Sequence, residues 1–224
     1  MRRLLLLLTV TIALSAPAAA GAAERTVSVS ATVARQVPND AAEVRFAVSK
    51  ERPGRAAALR IVGARVQAVI AAAQRTPGVG AGDVTTGSIS VRRVERGERP
   101  VYRASEGVRV ITHSPEAAGD LVAAGVAAGA TSTRGPRFFV GDRETAYNAA
   151  LVEALERART KAGLLAAAAG ARLGPALTIA ESGGVTALPA PNASEPAGKD
   201  APAPPVKPGR SSVEATVSAT FALE

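Results

Sequence analysis

The chain has 224 residues, 47% of them hydrophobic but only 3% aromatic, with no cysteine and a formal net charge of +8. That length suits one domain of ordinary size, whose core must come from Ala, Val, Leu and Ile, and the missing cysteines exclude a disulfide framework and a thiolate metal site. Basic charge suits nucleic acid, anionic headgroups or a solvated surface. With arginines scattered at Arg35, Arg45, Arg60, Arg92, Arg109, Arg137 and Arg157 and no aromatic stacking platform, nucleic acid is set aside, while weak contact with an anionic membrane or cell-wall surface stays open.

Residues 1–23 read as a secretory signal peptide. Met1-Arg2-Arg3 is a positive start, Leu4 to Leu14 an apolar run, and Ala18-Ala19-Ala20 or Gly21-Ala22-Ala23 a small-residue cleavage site. The run is shorter than the ~20 residues of a membrane span. Two of the 27 basic residues and none of the 19 acidic ones lie in this leader, so residues 24–224 keep a charge of about +6. Periplasmic export is the expectation.

Val27, Val29, Ala31 and Val33 alternate with Thr26, Ser28, Ser30 and Thr32, the period of a strand with one buried face. Pro38-Asn39-Asp40 is a turn signal before a second alternating run, Glu43 to Val48, so the first two strands are expected to pair as a hairpin. Leu59, Val62, Val66, Val69, Ile70 and Ala73 then take helical spacing over 55–74.

Pro77-Gly78-Val79-Gly80-Ala81-Gly82-Asp83 resembles a phosphate-cradling loop, but here a helix precedes and a strand follows, the reverse of the order such loops need. A helix-to-strand turn is the reading. A third strand over 83–93 and a fourth over 101–112 flank a polar turn as a hairpin. Ser114 and Pro115 signal a helix start, as cap and first residue, and Leu121, Val122, Gly125 and Val126 give that helix an apolar stripe ending at Gly129. A fifth strand covers 132–140.

The longest element is a predicted helix over 142–170. Ala146, Ala150, Leu151, Ala154, Leu155, Ala158, Ala162, Leu165, Ala166 and Ala169 recur at steps of three and four, Glu153 precedes Arg157 by four, Asp142 is placed to cap the start and Gly170 to end it. A sixth strand covers 175–181. Residues 183–210 are dense in Pro, Ala and Gly and read as a disordered loop, with Asn192-Ala193-Ser194 a bare sequon match, because alternation resumes from Ser212 to Leu223.

No catalytic, cofactor-binding or metal-ligating residue emerges. The single histidine, His113, would have to serve any Ser-His-Asp triad or histidine-ligated zinc, and it sits at a strand-to-helix junction. Glu43, Asp83, Glu95, Glu98 and Asp120 form no paired motif. Tyr102, Arg103 and Ser105, at the start of the fourth strand, are the candidate ligand- or interface-lining residues, though such residues also cover the end of a sheet.

Taken in order, Val27-Ser28-Val29-Ser30, Pro38-Asn39-Asp40-Ala41, Thr86 and Ser88, Tyr102-Arg103-Ala104-Ser105, Gly129-Ala130, Ala158-Arg159-Thr160-Lys161-Ala162, the Gly170-to-Gly174 exit and the Val-Ser-Ala-Thr-Phe ending resemble the SIMPL-domain family of bacterial envelope proteins. The resemblance spans Thr26 to Leu223. It implies an α+β domain, and the elements read along the chain make that one domain after the leader, a mostly antiparallel sheet of about seven strands with one long and two shorter helices packed on it. It also implies export and, as in some members, large assemblies, with links to envelope maintenance or oxidative-stress defence and no catalytic residues to carry over. The expectation is a non-enzymatic periplasmic protein that forms homo-oligomers; the alternative is a monomeric module binding a small ligand, lipid or cell-wall fragment.

Overall fold

The computed structural model describes residues 24–97, 99–184 and 205–224. The signal peptide expected over 1–23, Glu98, and residues 185–204 of the expected loop, including the sequon, lie outside them. The fold is α+β, and among the described residues it has one long and two shorter helices, as expected, and eight strands divided between two antiparallel sheets.

The first sheet has the order β1-β8-β7, from β1 (Thr26–Pro38), β7 (Leu173–Gly184) and β8 (Arg210–Leu223). Alternation in β1 and β8 sends Val29, Val33, Val213, Ala215, Val217, Ala219 and Phe221 to one buried face. The long helix α3 (Arg143–Ala168) lies on that face and buries Ala150, Ala154, Ala158, Ala162 and Ala166, a seam at strict steps of four. Steps of four stack side chains on one face of a helix, and methyl-sized side chains let its backbone approach the sheet. Asp142 caps the start, its Oδ1 accepting from the Thr145 N–H at 2.9 Å. Arg157 Nη2 meets Glu153 Oε1 at 2.7 Å, and Gly170 takes φ +68 beyond the helix end. Leu165, expected on the buried face, is 46% exposed, because the seam drifts away from it.

The second sheet has the order β3-β5-β2-β6, with β4 also on β5. Its strands are β2 (Ala41–Arg52), β3 (Val84–Thr86), β4 (Ser90–Arg96), β5 (Arg99–Thr112) and β6 (Ser132–Phe139). Val44, Phe46 and Val48 of β2 and Ala104, Val108 and Val110 of β5 face the helix α1 (Arg55–Ala73), which buries Ala58, Val62, Val66, Val69 and Ala73. Helix α2 (Ala118–Ala127) adds Leu121, and its Gly125 is where the Phe46 ring fits, since a Cβ there would collide with the ring.

Three expectations are corrected. Strands β1 and β2 are not a hairpin: β1 pairs with β8 from Thr26↔Ala222 to Pro38↔Arg210, while β2 lies between β5 and β6. The expected third strand is broken at 87–89 into β3 and β4, both on β5, with the Gly87 N–H donating to the Gly107 carbonyl at 2.8 Å. The Ser114 side chain caps nothing; a short 3-10 turn, Pro115–Ala117, begins there and leads into α2.

The Pro38-Asn39-Asp40 segment is the passage between the sheets. Buried Asn39 donates from Nδ2 to the Pro208 carbonyl at 2.7 Å, accepts on Oδ1 from the Ser211 hydroxyl at 2.6 Å, and donates its N–H to the Gly209 carbonyl at 3.2 Å. Asp40 Oδ1 accepts from the Gly141 N–H at 2.6 Å, just before α3. Two neighbouring side chains thus tie the crossing to the starts of β8 and α3.

Candidate functional site

Among the described residues each sheet is covered by helices on one side only, so the other faces are where chemistry is displayed. On the second sheet that face is built by β-strand alternation. Glu43, Arg45, Ser49 and Glu51 of β2 lie beside Ile111, Arg109, Ser105 and Arg103 of β5. On β4, Ser90 and Arg92 are opposite Ser105 and Arg103. On β6, Arg134 is opposite Arg45 and Arg137 opposite Glu43.

That last pair of registers depends on a bulge. Arg137 lies three positions after Arg134, a step that in a regular strand would send them to opposite faces. Their partners Arg45 and Glu43 are only two apart, so one extra residue in β6 turns both arginines to the open face. Gly135 sits in the bulge at φ +102, where a Cβ would lie 2.7 Å from the Glu43 carbonyl.

The face carries two arginine groups. In one, Glu43 is 4% exposed and uses Oε1 for Arg45 Nε at 2.7 Å and Oε2 for Arg109 Nε at 2.6 Å; Arg137 lies over the Phe139 ring, 5.8 Å from its centroid. In the other, Glu51 accepts from Arg103 Nε at 2.8 Å and Arg96 Nε at 3.2 Å, and these bonds hold its carboxyl below its ordinary pKa. Between them lies a floor of small side chains, Ala47, Ser49, Ser105, Gly107 and Ser132, with Ser90 and Ser105 hydroxyls 2.8 Å apart. Among the described residues no carboxylate lies within 4.0 Å of the charged nitrogens of Arg92, Arg134 or Arg137. Among the described side chains, seven arginines thus share the face with two glutamates.

The three residues singled out in the sequence do not converge. Tyr102 points to the helix side and packs against the core with Val91 and Val122, whereas Arg103 and Ser105 stand on the open face. Adjacent strand residues alternate faces, so Tyr102 and Arg103 line no common groove. Conversely, Arg45, Arg92, Arg109 and Arg137, remote in sequence, come together, joined by Arg96, Arg103 and Arg134. The signal was their period-two placement within strands; what the sequence lacked was the strand order.

His113 is 59% exposed and its Nε2 lies 3.2 Å from Asp83 Oδ1. Asp83 Oδ2 also accepts from the Gly80 N–H at 2.8 Å, so the glycine segment is a turn clasped to the β5–α2 junction. Among the described residues no hydroxyl bonds the other His113 ring nitrogen, and no group of three or more His, Asp or Glu is placed to hold a metal ion. A shallow depression of about 450 Å³ between α1 and α2, flanked by Arg75 and Asp120, is lined chiefly by alanine.

The open face of the first sheet is different. Ser28, Ser30 and Thr32 of β1, Thr216, Ser218 and Thr220 of β8, and Thr178 and Ser182 of β7 form a grid of hydroxyls. They bond laterally, Ser28 to Thr220 at 2.8 Å, Thr32 to Thr216 at 2.9 Å and Ser218 to Ser30 at 3.3 Å.

The model of the SIMPL family, described as a protein of unknown function (DUF541), matches residues 27–221. The chain belongs to this family. A search of curated proteins found no match.

Proposed function

We propose that this member of the SIMPL family is an exported, non-enzymatic protein of the periplasm that works by self-association, with a part in envelope maintenance or oxidative-stress defence. Export rests on the leader pattern of residues 1–23, and the envelope role on the family resemblance alone. Self-association is supported by one observation, the uncovered hydroxyl face of the first sheet. Burying a polar group costs ~1–3 kcal/mol when its hydrogen bond is lost, but the six hydroxyls on β1 and β8 already bond one another across the strands. A second copy can therefore cover the β1–β8 part of the face without leaving those six unpaired, and they bring no charge to desolvate, Glu214 standing two residues before Thr216 on the same face.

The test is the solution mass of residues 24–224 by light scattering over a range of concentration and salt. A stable mass several times the monomer is expected, and Ser218→Arg, which places a charge at the centre of the grid, is expected to lower it. A monomer at every concentration would overturn the proposal.

A further inference from the structure

We infer that the arginine face of the second sheet docks on a planar anionic lipid surface. The inference does not depend on self-association, which was assigned to the other sheet.

Fold stability does not account for this face. Like charges directly opposite each other on neighbouring strands are destabilising, yet Arg45 is opposite both Arg109 and Arg134, and Arg92 is opposite Arg103. Glu43 bridges Arg45 and Arg109 and Glu51 bridges Arg96 and Arg103, but two carboxylates leave five of the seven positive charges in excess, and among the described residues Arg92, Arg134 and Arg137 have no carboxylate within 4.0 Å. The bulge at Gly135, moreover, brings Arg137 to the same side as Arg134. An external anion resolves the repulsion.

The spacing selects the kind of anion. Arg109 lies six positions along β5 from Arg103, about 20 Å at the rise of a strand, and the Arg109–Arg45–Arg134 row crosses two strand spacings, about 10 Å. No single phosphate or nucleotide reaches both groups. The floor between them is built of small side chains and carries no projecting aromatic ring for a base to stack on, since Tyr102 points to the opposite side and Phe139 lies under Arg137. Negative groups spread over a plane fit this layout: a layer of phospholipid headgroups, which attracts basic side chains within about a Debye length of its surface.

The chain from Glu24 onward contains every residue of the three core clusters, so it is the form to test, by co-sedimentation with vesicles of phosphatidylglycerol mixed with phosphatidylcholine and of phosphatidylcholine alone. Binding is expected only to the anionic vesicles and is expected to fall at least about tenfold when salt is raised from ~25 to ~300 mM. The double variant Arg92→Glu/Arg134→Glu is expected to lose binding at least about tenfold, whereas Arg60→Glu/Arg159→Glu, of the same net charge but on the exposed sides of α1 and α3, stays within about twofold. Circular dichroism checks that each variant is folded, and Arg92→Gln/Arg134→Gln replaces the first pair if it is not. Equal loss in the two charge-matched pairs, binding to neutral vesicles, or no binding at low salt would overturn the inference. So would tighter binding of single-stranded DNA than of anionic vesicles, which would make the face a nucleic-acid site.

Discussion

The two halves of this molecule obey the same strand alternation and differ in what it displays. Around the first sheet the interior is a seam of five helical alanines against valines and Phe221, and the exterior is a neutral grid of hydroxyls. Around the second, the interior holds Phe46 and Leu121, the latter among the largest fully buried side chains, and the exterior carries seven arginines. One long helix closes the first interior, and two shorter ones, α1 and α2, close the second. What separates the halves is on the outside, where the polar alternates of each strand have no packing to satisfy. Self-association and docking on a charged surface are accordingly assigned to different sheets.

The most severe way to break the comparison is to empty one interior and watch the other. Phe46→Ala should cost about 3–5 kcal/mol, as large buried side chains do, measured by urea unfolding. The chain has two tyrosines, Tyr102 on the second core and Tyr147 on the first, so Tyr102→Phe and Tyr147→Phe backgrounds leave one emission reporter per half. If the cores are as separate as their side chains, the Tyr102 transition moves to lower urea than the Tyr147 transition. Coincident transitions would show one cooperative unit.

The reciprocal change overfills the alanine seam. Ala158 is fully buried between α3 and the first sheet, and Ala158→Leu adds three carbons where the backbone approach allows one, an overpacking of about 1–3 kcal/mol. The same exchange at exposed Ala167, on the same helix, should be close to neutral. An equal effect at both positions would show that the seam is not a close contact.

A comparable loss is expected where the halves are joined. Asn39→Ala removes the donor to the Pro208 carbonyl and leaves the buried Ser211 hydroxyl without its acceptor; a buried polar group left unpaired costs about 1–3 kcal/mol. Because Asn39 lies between the sheets, the variant should also widen the gap between the two tyrosine transitions. A uniform shift of both would reduce Asn39 to an ordinary buried residue.

These targets differ in how far the sequence exposed them. Val27 to Val33 showed which face of β1 is buried, Asp142, Glu153, Arg157 and Gly170 showed the long helix, and the polar turn before 101 showed the β4–β5 hairpin. Alternation names a face and never a neighbour, which is why β1 was assigned to β2 while its partner β8 lay some 190 residues away. The arginine face needed both strand order and a bulge at Gly135, neither of which leaves a periodic trace. The separation of Tyr102 from Arg103 needed only the period of two. Asn39 read as a turn because a residue that bonds its own chain locally and one that bonds a distant strand have the same composition.

The smallest effect sharpens the contrast between the exteriors through pH. Glu51 is held below its ordinary pKa by hydrogen bonds from Arg96 and Arg103, with the charges of both adding to the effect. A carboxyl with a folded pKa below its unfolded one contributes stability that is fully present above the unfolded value, near 4.3, and is lost as pH falls through the folded one. Wild type should therefore melt above Glu51→Gln at neutral pH, and the difference should close in acid, below the usual carboxylate range. Thr216→Val, made in the hydroxyl grid, changes no titrating group, and its offset from wild type should stay constant over the same range. A constant offset for Glu51→Gln as well would mean that the carboxylate is not coupled to its arginines, and that the second group of the cationic face is held by the strands alone.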